Sequence, residues 1–127
     1  MREILFRGRD TDGVWHEGFY CVFSGKSHRI YTGYAETDCG DYYPDYFEVE
    51  PETVGQYIGV TDKNDKEIFE GDIVKSYNGH IGWVEFCSST FVKRCRCHIF
   101  KNAIHGDDQI VIGNIYDNPE LLRSDTE

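Results

Sequence analysis

The stretch Val54–Val74, VGQYIGVTDKNDKEIFEGDIV, constrains the fold of this chain more than any other. Val54, Gln56, Ile58 and Val60 fall on one face of an extended segment, and Gly55, Tyr57 and Gly59 on the other. A polar run, Thr61–Glu67, follows, and then Ile68 and Phe69. Short apolar runs on either side of an Asp/Asn cluster predict a β-hairpin. Asn64 and Asp65 tolerate positive φ better than most non-glycine residues, so the loop should end in a left-handed residue. Two glycines inside the first strand predict a bend or a close backbone approach. Glu70-Gly71-Asp72 is a second break before Ile73-Val74. A calcium loop starting at Asp62 fails its template. Lys66 falls at the fifth position, Glu67 where the sharp-turn glycine belongs, and Ile73 where the bidentate glutamate belongs.

The rest of the chain carries the same punctuation. Ile4–Arg7 reads as a strand, Gly8–Gly13 as a turn, and Val14–Phe23 as a second strand with Trp15, Glu17, Phe19 and Cys21 on one face. His28–Tyr34 is a third. After the central hairpin, Ile73–Tyr77 and Ile81–Phe86 flank Asn78-Gly79, a two-residue turn signal. Thr90–Phe100 reads as one long strand and Ile110–Tyr116 as the last. Asn118 before Pro119 predicts a short helical turn over Pro119–Arg123.

A chain of 127 residues forms one compact unit or two small subdomains. The fold class expected is mainly β, with an antiparallel sheet over about 1–50 and a barrel-like sheet over about 51–127. The series Gly71–Val74, Asn78-Gly79, Gly82–Phe86 is similar, at fold level, to the strand–turn–strand of a small SH3-like barrel.

Charge narrows the partners. The formal net charge is -10 and the pI near 4.8, which disfavours nucleic acid and anionic membranes. Residues 36–52 hold seven acids and no Lys or Arg, with Tyr42, Tyr43, Tyr46 and Phe47 among them. That segment reads as a solvated loop and a short strand, Tyr46–Val49; the sharper alternatives are a cation site or a docking surface for a basic partner. From Lys75 to His105 the balance reverses, with five basic residues against Glu85 alone. Lys93, Arg94, Arg96, His98 and Trp83 are therefore the candidate surface for a partner or for single-stranded nucleic acid. The same window would also complement the acidic segment of another copy, as a homo-oligomer contact.

Catalytic and metal signals are thin. Cys95, Cys97 and His98 are zinc-type ligands at the wrong spacing, since a strand turns the two thiols to one face and the imidazole to the other. There is no nucleophile elbow, phosphate loop or dinucleotide fingerprint. No enzyme activity, catalytic residue, metal or cofactor is expected. The five cysteines are irregularly spaced, the start lacks a signal-peptide core, and no run reaches membrane-spanning length. The cytoplasm, with reduced thiols, is the expected compartment.

Three blocks carry a family resemblance. The first is Arg2-Glu3-Ile4-Leu5-Phe6-Arg7-Gly8 with Gly13-Val14-Trp15 and Gly18-Phe19-Tyr20. The second is Glu52–Gly59, Asp62-Lys63-Asn64 and Lys66–Val74. The third is Val111–Leu122. Together they resemble the YopX family, small proteins encoded mostly by bacteriophages and prophages. The resemblance implies a largely β fold, a phage origin and the host cytoplasm, and it assigns no catalytic residues. Asp65 stands where the family often has glycine. The function expected is a non-enzymatic accessory protein that binds, most of all by self-assembly or to a host or phage protein. Nucleic acid on the Lys93–Arg96 strand is the first alternative, and a metal-dependent or hydrolytic enzyme the last.

Overall fold

The computed structural model describes residues 4–77, 79–87, 90–94, 99–100 and 108–123, with backbone alone at 87, 90, 94, 99, 100 and 123. The described residues are mainly β, with two antiparallel sheets and one short α-helical turn among them. The chain folds as two compact units that divide between Gln56 and Tyr57.

The N-terminal unit holds β1 (Phe6–Arg9), β2 (Trp15–Phe23), β3 (Ser27–Glu36) and β4 (Tyr42–Glu48), hydrogen-bonded in that order, with the first residues of β5 (Gly55–Thr61) on the far side of β1. Asp10 builds the β1–β2 turn. Its carboxylate accepts the Asp12 and Val14 amides, each at 2.9 Å, and Gly13 supplies a φ of 86°. The core is small, centred on fully buried Ile30 with Val49. Gly8 lets Val49 close onto β1, because a Cβ there would stand 2.9 Å from the Val49 Cβ. Thr53 ties the sheet to a 3₁₀ turn, Pro51–Thr53, by accepting from the Arg9 amide at 2.9 Å and donating to the Glu50 carbonyl at 2.6 Å.

β4 differs from expectation. It runs seven residues, where the sequence suggested a loop and a short strand from Tyr46. Pro44 lies inside it, paired with Tyr34, and is tolerated because β4 is the outer strand.

In the C-terminal unit the rest of β5 pairs with β6 (Glu67–Phe69), the hairpin the central stretch predicts. Asp65 takes the left-handed conformation at φ 66°, and the register shifts along β5, where Gly59 sits at φ 97°. A second sheet comprises β7 (Asp72–Ser76), β8 (Ile81–Cys87), β9 (Thr90–Arg94), β10 (Ile99–Phe100) and β11 (Gln109–Asn114), in the order β10-β9-β8-β7-β11. Ile58, Ile68, Val74, Val84 and Phe91 form its core. Among the described residues this sheet is open, with β10 and β11 at its edges, and no barrel closes. Thr90–Phe100 is not one strand. β10 is a separate strand that pairs antiparallel with β9 through Ile99–Arg94 and Phe100–Lys93. Asn114 forms an Asx turn onto the Tyr116 and Asp117 amides, and α1 (Glu120–Arg123) follows. No helix among the described residues is long and apolar enough to cross a membrane.

Candidate functional site

One face of the N-terminal sheet is unusually aromatic. Alternation along β2 puts Trp15, Glu17, Phe19, Cys21 and Phe23 on it. The register brings Tyr31 opposite Phe19, and Tyr46 opposite Tyr31. Phe19 is 69% exposed and Tyr34 77%. Exposed rings gathered on one face are uncommon on a chain that has nothing to bind.

Arg29 anchors one end of this face. Its guanidinium carbon lies 4.2 Å from the Phe23 ring centre and 4.1 Å from that of Tyr46, a cation held between two rings. Its Nε donates to Ser27 Oγ at 2.9 Å, its Nη1 to the Tyr31 hydroxyl at 3.0 Å, and Ser27 donates in turn to Glu48. The Tyr31 hydrogen bond pushes the Arg29 pKa above its ordinary value. At the other end the Arg7 guanidinium lies 4.7 Å from the Trp15 ring centre.

A pocket of about 460 Å³ opens on this face, lined by Leu5, Glu17, Phe19, Tyr31, Tyr34 and Pro44. Its shape depends on a β-bulge. β3 and β4 pair Tyr31 with Tyr46, then Gly33 with Asp45, so Thr32 has no opposite number. The extra residue returns Tyr34 to the side that carries Tyr31.

The opposite face packs on itself. The His16 ring stacks on Phe47 at 3.7 Å, and its Nε2 lies 2.8 Å from Asp10 Oδ2. The His16 bond, followed by the Val14 amide, holds the Asp10 carboxyl below the usual range. His28 Nδ1 lies 2.7 Å from the Tyr20 hydroxyl.

The basic window lies in the other unit and is not one surface. Lys93 is 4% exposed. It stands opposite Val84 on the inner face of β9, and its Nζ donates to Ser76 Oγ at 2.6 Å, the His80 carbonyl at 2.9 Å and Gln109 Oε1 at 3.0 Å. The sequence carried that signal: alternation places Lys93 with Phe91, on the apolar side. Trp83 is partly buried, donates to Glu85 Oε1 at 3.1 Å, and is in register with Arg94. The Arg94 side chain, Arg96 and His98 lie outside the described residues, as do Cys95 and Cys97.

The Ser76–Lys93 approach has the distance of a Ser/Lys pair. Lys93 Nζ meets three acceptors there, as many as an ammonium has N–H bonds. The Ser76 amide, a natural oxyanion donor, is spent on the His80 carbonyl at 2.8 Å. Asp62, first of the residues tested for a calcium loop, accepts the Asn64 and Lys66 amides on Oδ1 and the Val111 amide on Oδ2. Among the described residues no group of three His, Cys, Asp or Glu side chains is placed to hold a metal.

Comparison with known proteins gives a family and a fold. The family model described as YopX protein matches residues 8–123. A crystal structure of protein EF1440 from Enterococcus faecalis is similar at a TM-score of 0.66 and 25% identity, over 96% of this chain and 99% of that one. No curated protein matches the chain.

Proposed function

The chain belongs to the YopX family, and on that premise we propose a non-enzymatic accessory protein of a phage or prophage that holds a basic, extended segment of a protein partner against β4. The observation that carries this is the character of β4. It is the outer strand of its sheet, exposed along all seven residues, within a segment of seven acids and no Lys or Arg. An outer strand offers a row of backbone groups to an added strand, and side chains then decide which strand is accepted. Here they select for positive charge. Two β4 edges from separate copies would set acid against acid, so the occupant is a different chain.

Self-assembly through the basic window is the second reading. It loses Lys93 to the interior, while exposed Lys75 remains available.

The experiment is a ¹H–¹⁵N NMR titration with an eight-residue peptide of alternating Arg and Val. The amides of β3 and β4 should shift, with affinity falling as salt rises. A matched Glu/Val peptide should leave them in place. Equal binding of both peptides, or shifts confined to the C-terminal unit, would reject the docking site. A dimer that sediments in the absence of peptide and is broken by Lys75→Glu would favour self-assembly instead.

A further inference from the structure

The aromatic face seats an arginine at each end, Arg29 between Phe23 and Tyr46, and Arg7 on Trp15. Phe19 lies midway between Trp15 and Phe23 on β2, and beside it is the 460 Å³ pocket. The pocket repeats the ingredients of the two ends. Phe19, Tyr31 and Tyr34 provide rings, Leu5 and Pro44 apolar walls, and Glu17 a carboxylate. None of its lining residues is a cation. Glu17 is exposed and stands across the β1–β2 pair from Arg7, whose guanidinium is turned onto Trp15.

We infer that this pocket takes the guanidinium of one arginine side chain from the docked segment; the inference rests on the docking reading above. A flat cation stacks on ring faces and pairs with a carboxylate at its edge, and guanidinium loses less hydration in doing so than ammonium. Tyr31 is already fixed by its bond from Arg29, so that wall is ordered before the ligand arrives. The chain thus specifies its partner twice, by strand addition along β4 and by one arginine set into the face.

The probes are acetyl-arginine amide, its uncharged isostere acetyl-citrulline amide, and the Arg/Val peptide, each titrated by NMR. The arginine amide should shift the Phe19, Tyr31 and Tyr34 amides and saturate in the millimolar range, while the citrulline amide should not. Glu17→Gln and Tyr34→Ala should each weaken arginine amide and peptide by about 3- to 10-fold. Both positions are exposed, so the thermal midpoint should hold, and Asp12→Asn in the β1–β2 turn should bind as wild type. Equal binding of the two amides, or full peptide affinity in both pocket variants, overturns the inference. In the latter case shifts along β4 would leave the docking reading standing. Conversely, a pocket filled by arginine amide in a protein that ignores the peptide would sustain the pocket and remove the strand-addition reading.

Discussion

Tyr31 and Tyr34 line one pocket although they are an odd number of residues apart on β3. Strict alternation would put them on opposite faces. The bulge at Thr32 reverses the phase, and Gly33 takes a φ of 152° as the ladder resumes. Gly33→Ala should cost about 1–2 kcal/mol through its Cβ in that conformation. Urea unfolding measures this. A loss of affinity for acetyl-arginine amide under native conditions should accompany it, because the register sets where Tyr34 stands.

Asp62 reaches from the β5–β6 turn to the Val111 amide on β11 at 2.9 Å, besides holding two amides of its own turn. Asp62→Asn turns one acceptor into a donor facing an N–H, and should cost about 1–3 kcal/mol. Burial raises the Asp62 pKa, but the amides of Val111, Lys66 and Asn64 outweigh it and hold the carboxyl below its ordinary 3.8. A depressed folded-state pKa stabilises above the unfolded value and is lost as pH falls through the folded one. Wild type should therefore lose stability below about pH 4 more steeply than Asp62→Asn, which denaturation midpoints across pH 2–6 will register.

Lys93 is an interior anchor. Lys93→Met keeps the stem and removes the buried donors that Ser76 Oγ, the His80 carbonyl and Gln109 Oε1 accept from. The expected cost is about 1–3 kcal/mol, with faster amide exchange at the β7–β8 hairpin as the local sign. An unchanged melting curve would contradict the assignment.

Asp65→Gly should raise stability by up to about 1 kcal/mol, because glycine enters the left-handed region without the Cβ penalty. Asp65→Val should lower it by at least as much. The Asp62 and Asp65 backbones meet in the turn at 2.9 Å, so both effects should localise to the β5–β6 hairpin.

Local grammar was legible wherever one or two residues decide the geometry. Asp62–Glu67 gave the hairpin and its left-handed residue, and Asn118-Pro119 the start of the last helical turn. Residues 42–45 misled, because a run of acids reads as a solvated loop whether or not it forms an outer strand, and strand position is a property of the sheet. The run Thr90–Phe100 misled because alternation is the same in one strand and in two antiparallel strands. The basic window misled because charge counted along the chain ignores which face of β9 each residue takes.

The sequence by itself determined the family, the mainly β class, most turns and the acidic, aromatic character of residues 36–52. Each follows from short-range sterics or composition, which need no knowledge of neighbouring strands. The tertiary structure alone decided that β4 is an outer strand and that Phe19, Tyr31, Tyr34 and Glu17 share a pocket. Those facts depend on register and on one bulge, and pairing between residues distant along the chain sets both.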